Sequence, residues 1–270
     1  PQNYIDQFGL VCSCQEKTRH KNLKLGPAIL PWFVGYNDAP GKPLDAWLDY
    51  DKAIKMPMPP QPKTKLISVI TSNKAMTQGH IDRIRFVKKL KQHYGDQIDV
   101  FGRGFRDFDD KWETLAPYKY QIVIENGQHM HYWTEKLSDC YLAGTFPIYV
   151  GCKNVEDYFP REAYEPLDMY QDFDKVVAQI DQIIASERFE QALPALEEAR
   201  QLVLNKYNMF DYIASLCDTL NPNLPKEQVV IKACKSSADW HNLWAYTIGR
   251  SYYKLKFKLL EKIKPINVKL

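Results

Sequence analysis

The sequence predicts an α/β domain built on a parallel β-sheet with helices on both faces. From Leu66 onward, β-branched and apolar runs of strand length alternate with segments that carry apolar residues at helical spacing. The strand runs are almost continuously apolar, which is typical of parallel strands buried on both faces. With right-handed crossovers, this alternation gives a Rossmann-like, doubly wound sheet.

The alternation predicts four strands and three main helices. The strands are expected at residues 66–72, 97–104, 120–126 and 146–151, and the helices at residues 80–95, 134–144 and 173–186. Thr134 is a suitable N-cap for the second helix, and Gly144 stands just past its end.

Composition along the chain indicates four parts. Residues 1–55 have two short apolar runs among prolines and glycines and are expected to be the end of an incomplete N-terminal domain. Residues 56–65 contain four prolines and are expected to form a linker. Residues 66–215 are the predicted Rossmann-like domain, and residues 216–270 a helical tail.

Bulk composition is that of a soluble globular protein, with 270 residues, 45% apolar and 26% charged. The 13% aromatic content fits a packed core better than sugar or base stacking, and a net charge of +3 gives no indication of nucleic-acid binding. None of the six cysteines stands in a CxxC pair or at zinc-ligand spacing, so Cys140 and Cys152 are expected to be buried free thiols. We expect a cytoplasmic location, peripheral to a membrane, or the Golgi lumen if a signal anchor precedes these residues.

The end of the chain is basic. Between residues 246 and 270 one acid, Glu261, faces seven basic residues: Arg250, Lys254, Lys256, Lys258, Lys262, Lys264 and Lys269. We favour a helix docked on the body with its lysines in water. The alternative is weak contact with an anionic membrane surface.

Polar loops follow the first three predicted strands, at the edge where ligands bind in such sheets. The loops are TSNKAMTQGH, GRGFRDFDD and ENGQHMHYWTEK, and each leads towards a helix N-terminus, which favours an anion such as phosphate. Arg83 and Lys136 are placed near two of these helix starts, where a cation opposes the helix dipole. Either a bound anion offsets that cost, or both are surface charges paired with Asp82 and Glu135. Glu135 itself either caps its helix or accepts hydrogen bonds from sugar hydroxyls.

Motifs for other chemistries are missing from the sequence. His129 and His131 form an isolated H-x-H pair, which is weak evidence for a metal. There is no GxGxxG after the first strand, no P-loop, no GxSxG and no HExxH. We therefore expect neither a metal nor a dinucleotide cofactor.

The stretch YQIVIENGQHMHYWTEKLSDCYLAGTFPIYVG resembles the signature of the α-1,3/1,4-fucosyltransferases, glycosyltransferase family 10. That pattern is an apolar strand, F-E-N, a polar loop, Y-x-T-E-K, a helix, a small-residue turn and P-[IV]-x-x-G. It matches here at Ile124–Asn126, Tyr132–Lys136, Gly144 and Pro147–Gly151. Ile124 departs from the usual Phe. The segments around SVITSN and FGLVCSCQEKTRH also agree, so the resemblance spans most of residues 8–185.

The resemblance implies a GT-B fold, in which two Rossmann-like domains face a cleft and the C-terminal one holds GDP-fucose. It implies inverting, metal-independent transfer of fucose to a GlcNAc-containing glycan. Arg83 and Lys136 would neutralise the diphosphate, and Tyr132 would contact the nucleotide. Glu135 would bind hydroxyls of the ribose or fucose. Glu125, Asn126 and Thr134 complete the expected donor site.

The same resemblance assigns the general base to a glutamate of the N-terminal domain, expected upstream of Pro1, with Glu16 a weak substitute. Two alternatives therefore stay open. One is a non-catalytic module that binds a nucleotide-sugar, and the other is a GT-B transferase that uses a different nucleotide-sugar.

Overall fold

A computed structural model describes residues 2–37, 47–221, 223, 229–233 and 240–266. At its centre lies a five-stranded, fully parallel sheet with the order β4–β3–β5–β6–β7. Its strands are β3 (Lys65–Ile70), β4 (Ile98–Phe101), β5 (Tyr118–Ile124), β6 (Phe146–Val150) and β7 (Glu165–Pro166). Strands β1 (Val11–Ser13) and β2 (Leu23–Leu25) form a separate parallel pair.

The helices connect and flank these strands. In chain order they are α1 (Gln2–Ile5), α2 (Tyr50–Ala53), α3 (Gln78–Tyr94), α4 (Trp112–Leu115), α5 (Glu135–Leu142), α6 (Phe173–Ala185), α7 (Arg188–Gln191), α8 (Leu193–Gln201), α9 (Met209–Cys217) and α10 (Trp240–Ile263). Short 3₁₀ turns at Gly95–Gln97, Val155–Asp157 and Arg161–Ala163 and a π-helical turn at Leu202–Lys206 complete the described elements.

Helices cover both faces of the sheet, as predicted. On β5, the Tyr120 hydroxyl is directed at the carbonyl of Ile183 in α6, 3.5 Å away. The neighbouring Gln121 points to the other face, where its side-chain oxygen lies 2.6 Å from Sγ of Cys140 in α5. Because successive side chains of a strand point to opposite faces, α5 and α6 lie on opposite sides.

The predicted strands and helices are confirmed, with one shift that matters for the site. Thr77 caps α3 through a hydrogen bond from the His80 amide, so the helix begins at Gln78 rather than at residue 80. Arg83 therefore lies in the second turn, where the helix dipole is weaker than at the first N–H groups. Thr134 caps α5 as predicted, and Gly144 (φ 61°) follows its end in the left-handed region that favours glycine.

The strand order contains a reversal next to β3. The chain leaves β3 for β4 through α3 and then returns past β3 to β5, so β3 pairs with both. Connections leave the carboxyl ends of β3 and β5 on different sides, which opens the crevice where doubly wound sheets bind ligands. The loops at residues 71–77 and 125–134 meet there.

Two carboxylates, the buried Asp139 and the partly buried Asp110, connect residues 33–35 of the N-terminal part to this domain. Asp139 of α5 is fully buried, and its Oδ1 accepts hydrogen bonds from the amides of Phe33 (2.9 Å) and Val34 (3.2 Å). Its Oδ2 pairs with the ammonium of Lys111 at 2.5 Å. Asp110 accepts the next amide, that of Gly35, at 3.0 Å. The segment 33–35 is thus fixed to the start of the α4 region and to α5.

The C-terminal helix α10 docks on α3, as favoured from the sequence. Glu261 forms ion pairs with Arg85 (3.1 Å) and with Lys88 of α3. Among the described residues, no helix has the combination of length and apolarity that crossing a bilayer requires. The predicted buried thiols Cys140 and Cys152 are buried, whereas Cys234 and Lys269 lie outside the described residues.

Candidate active site at the carboxyl end of the sheet

Glu125, the first residue after β5, organises the start of helix α5. Its side chain is fully buried, and its oxygens accept hydrogen bonds from the Thr134 amide (2.9 Å) and the Thr134 hydroxyl (2.9 and 3.0 Å). The ammonium of Lys136 lies 3.1 Å from Oε2. Burial raises the pKa of Glu125, and Lys136 and Thr134 act in the opposite direction. Glu125 therefore fixes both the cap and the first cation of α5.

Gly151, at the end of the P-[IV]-x-x-G match, leaves the room that Glu125 needs. A Cβ at Gly151 would lie 2.6 Å from Cγ of Glu125 and 2.4 Å from the Tyr149 hydroxyl oxygen. Any larger residue would push the carboxylate away from Thr134 and Lys136. The glycine in this pattern thus serves a close approach between the ends of β5 and β6.

Asn126, the next residue, holds the second cation. Its Oδ1 accepts a hydrogen bond of 2.7 Å from Nη1 of Arg83. Arg83 is 7% exposed, its Nε has no hydrogen-bond partner, and burial lowers its pKa. The alternative pairing with Asp82 is not formed, because Asp82 accepts from Gln78 instead. Within the described part of the chain, Arg83 has a neutral amide as partner and forms no ion pair.

Glu135 and Lys111 extend the charged cluster. Lys136 contacts Glu135 at 3.5 Å, so the alternative pairing predicted for Lys136 is present alongside the pair with Glu125. Burial acts to raise the pKa of Glu135, but the ammonium groups of Lys136 and Lys111 outweigh it and hold that pKa below its usual value. Glu135 is thus an ionised acceptor at neutral pH. Lys111, Glu135 and Lys136 share a small cavity of about 100 Å³.

Tyr132 and the two histidines lie in the loop between β5 and α5. Tyr132 is half-buried and hydrogen-bonded to Asn126, and burial raises its pKa, so its hydroxyl remains a protonated donor. His131 adopts a left-handed backbone conformation (φ 61°) and contacts Tyr158 and Asn154 through Nδ1. His131 therefore stabilises the loop. Across the described ranges, no three His, Cys, Asp or Glu side chains are grouped so that they could hold a metal.

A cavity of about 250 Å³ opens beside these residues at the carboxyl ends of β5 and β6. It is lined by the Glu125–Gln128 segment, by Lys153 and by Tyr170, among others. The structure groups Thr134, Glu135 and Lys136 with Glu125. It groups Arg83 with Asn126, and Tyr132 lies in the same loop as Asn126. The sequence pattern did not indicate which carboxylate or amide holds which cation.

Two residues near the site were missed. Lys111 directly follows the acidic loop after β4, and a cation after RDFDD at this edge of the sheet was the available signal. Asp139 stands between the buried Leu137 and Cys140 in α5, and an acid among apolar helix positions indicates a buried partner. The weak candidate base, Glu16, is exposed in the turn after β1.

A Rossmann-like sheet with two cations at its switch point is an arrangement typical of α/β domains that bind phosphate groups. The family model described as glycosyltransferase family 10 (fucosyltransferase), C-terminal part, matches residues 60–233. Because that match covers more than half of the chain, the chain belongs to glycosyltransferase family 10.

Individual relatives agree. Alpha-(1,3)-fucosyltransferase 4 of Bos taurus is 31% identical over 125 residues, covering 44% of this chain and 30% of that protein. The Homo sapiens protein of the same name is 38% identical over 93 residues, covering 32% of this chain and 17% of that protein. The chain thus spans a third or less of these curated relatives.

Solved structures of an alpha1,3-fucosyltransferase with GDP and with GDP-fucose each align at 23% identity and a TM-score of 0.40. The alignments cover 56% and 55% of this chain and 41% and 40% of those chains, respectively.

The Glu125–Lys136 pair makes a testable contribution to stability. Replacing Lys136 by Met leaves a buried carboxylate without its cation, so we expect the free energy of unfolding to fall by about 2–3 kcal/mol at pH 8. The double variant Glu125→Gln/Lys136→Met removes both charges and should recover part of that loss. Urea denaturation of the four proteins of the cycle measures the coupling.

The pH dependence of this variant has a defined sign. The pKa of Glu125 is raised in the folded state, so between the unfolded and folded pKa values the folded state binds more protons. Stability therefore falls as pH rises through that window. Without the Lys136 ammonium, the folded-state pKa of Glu125 rises further, so the window extends to higher pH. The loss of stability caused by Lys136→Met should therefore be smaller at pH 5.5 than at pH 8. A deficit independent of pH would show that packing of the lysine stem, rather than its charge, is what is lost.

Proposed function

We propose that this chain is the donor-binding part of a fucosyltransferase. The enzyme would transfer fucose from GDP-fucose to a hydroxyl of a GlcNAc-containing glycan, with inversion and without a metal ion. The observation that carries the proposal is the pair of cations held by consecutive residues at the end of β5, Lys136 by Glu125 and Arg83 by Asn126. Membership of glycosyltransferase family 10, whose model is described as fucosyltransferase, supports GDP-fucose as the donor.

Arg83 is suited to the diphosphate because its charge has no neutralising partner in the described residues. Arg83 is 7% exposed as a residue, and its guanidinium is bonded to a neutral amide. A bound anion would therefore replace the hydration that this charge loses on burial. Lys136 supplies a second positive charge, moderated by Glu125 and Glu135. As the glycosidic bond breaks, negative charge grows on the departing GDP, and preorganised cations stabilise it without a divalent ion.

The polar neighbours orient the rest of the donor. The ionised Glu135 is an acceptor for ribose or fucose hydroxyls, and the protonated Tyr132 is a donor to the nucleotide or its phosphates. Thr134 and Asn126 fix the positions of the charged groups. Deprotonation of the acceptor hydroxyl requires a general base, which the family resemblance assigns to a glutamate of the N-terminal domain. No residue of these 270 is proposed for that role.

The domain division of the sequence fits this role. We propose that residues 1–55 belong to the acceptor-side domain of a GT-B arrangement, with 56–65 as linker, 66–215 as donor domain and 216–270 as tail. The hydrogen bonds that Asp139 and Asp110 accept from the amides of residues 33–35 would hold the acceptor-side and donor domains together at the cleft.

A transfer assay tests the proposal. The native protein that contains these residues is incubated with GDP-fucose and an N-acetyllactosamine acceptor, with EDTA present, and we expect fucosylated product. UDP-GlcNAc and GDP-mannose serve as competing donors. Faster transfer from either would favour the alternative of a different nucleotide-sugar. GDP-fucose binding with no transfer to any glycan would favour the alternative of a non-catalytic module.

A further inference from the structure

Helix α10 has two opposite apolar faces, and only one is covered by the protein. Tyr253, Phe257 and Leu260 pack on the cluster formed by Ala75, Ile81 and Ile84. On the other side, six apolar residues are between 48% and 72% exposed: Trp244, Ile248, Tyr252, Leu255, Leu259 and Ile263. The docking of α10 on α3 therefore leaves an apolar surface, the outer stripe, in water.

The outer stripe is continuous along the helix. At about 100° per residue, its six members fall within an arc of about 100°, and the three inward residues lie on the opposite side. The stripe runs through most of the 24 residues of α10. An apolar face of this width and length is ordinarily buried against something.

Positive charge flanks the stripe. On the helical projection, Lys254, Lys258 and Lys262 lie along one edge. Lys256 lies on the other edge, where its ammonium donates a hydrogen bond of 2.7 Å to Gln78 of α3. The one acid in this part of α10, Glu261, is already paired with Arg85 and Lys88. The exposed face thus presents apolar side chains beside three lysines, and the single carboxylate of α10 is already paired.

The cations continue onto the body of the domain. Lys74, in the loop after β3, lines a cleft of about 620 Å³ together with Lys254 and Lys258. A lipid headgroup phosphate placed at this edge would meet lysines from two elements. A second copy of α10 on the stripe would instead bring like charges together, which is unfavourable.

We propose that the outer stripe of α10 binds the surface of an anionic phospholipid membrane. The apolar side chains enter the boundary between headgroups and acyl chains, and the flanking lysines contact the headgroup phosphates. The helix lies in the plane of the surface rather than across it. The outer stripe itself contains none of the residues of the candidate donor site, so its test does not depend on fucosyl transfer.

Flotation with vesicles tests the proposal on the 270-residue protein. We expect binding to phosphatidylcholine vesicles that contain phosphatidylglycerol, and roughly tenfold weaker binding to pure phosphatidylcholine, because several lysines each add to the attraction. Raising the salt concentration should weaken the binding. Equal binding to both vesicle types, or binding to neither, would overturn the proposal that the outer stripe binds an anionic membrane.

Two variants separate the apolar and charged contributions. Ile248→Ser/Leu255→Ser/Leu259→Ser should weaken vesicle binding at least roughly tenfold, since three exposed apolar side chains no longer leave water. The matched control Phe210→Ser/Ile213→Ser/Leu220→Ser removes exposed apolar groups elsewhere and should bind as the parent does. Lys254→Gln/Lys258→Gln/Lys262→Gln should abolish the preference for anionic lipid.

Other occupants of the stripe give distinct outcomes. A concentration-dependent dimer in sedimentation velocity that the serine variant abolishes, without vesicle binding by the parent, would show self-association instead. Vesicle binding that survives the serine variant would place the lipid contact elsewhere. Circular dichroism and the Tm of each variant verify folding, and the glutamine variant keeps the test valid if the serine variant misfolds.

Discussion

Arg83→Gln should weaken GDP binding about 30-fold or more while leaving the fold intact. The loss corresponds to about 2 kcal/mol, within the range of a hydrogen-bonded charge contact. The stability should change little, because the guanidinium makes one described hydrogen bond, to Asn126, and its buried Nε is unsatisfied. Calorimetric titration with GDP and a thermal melt of the same sample measure both quantities.

A matched control separates local contact from bulk charge. Lys89→Gln removes one positive charge from the exposed side of the same helix and should leave the Kd for GDP unchanged within about twofold. If Arg83→Gln instead lowers the Tm sharply and GDP binds as before, Arg83 is a structural support for the loop at Asn126. A third variant, Asn126→Ala, should give an intermediate loss of affinity, since it releases Arg83 without removing its charge.

Asp139→Asn should produce the largest loss of stability among these variants, about 3–5 kcal/mol. The amide retains one oxygen for the Phe33 and Val34 amides but loses the charge that pairs with Lys111, which is itself 12% exposed in its side chain. An unpaired ammonium then remains in a poorly hydrated site. Urea denaturation measures the change in free energy of unfolding.

Hydrogen exchange shows which part of the protein is destabilised by Asp139→Asn. In Asp139→Asn, the amides of residues 33–35 should exchange faster than those of β5, because their shared acceptor is weakened. Glu198→Gln, on an exposed position of α8, removes a charge without a buried partner and should change stability by less than about 0.5 kcal/mol. Unchanged exchange at residues 33–35, with a large loss of stability, would show that Asp139 supports α5 alone.

The sequence was sufficient for the elements that position the site. Apolar runs and helical spacing located β3 to β6, α3, α5 and α6, because burial on both faces imposes a pattern that a single sequence displays. Thr134 and Gly144 marked the ends of α5 because capping is a local interaction. Short strands such as β7, with two residues, carry no such pattern and were not predicted.

The pairing of charges could not be read from the pattern. Glu125 holds Lys136 and Asn126 holds Arg83 because the end of β5 meets the starts of two helices in space, and spacing along the chain does not specify that meeting. The same holds for Asp139 and the amides of Phe33 and Val34, which are more than 100 residues apart in sequence. Tertiary contact alone explains why an acid is buried in α5.

Titration of the 270-residue protein with GDP in the presence of EDTA tests the central proposal most directly. If Arg83 and Lys136 together hold a diphosphate without a metal, GDP should bind under these conditions, and GMP, which lacks the second phosphate, should bind roughly tenfold more weakly. Binding that requires Mg²⁺, or equal affinities for GDP, GMP and guanosine, would contradict a cationic diphosphate site at the carboxyl ends of β3 and β5.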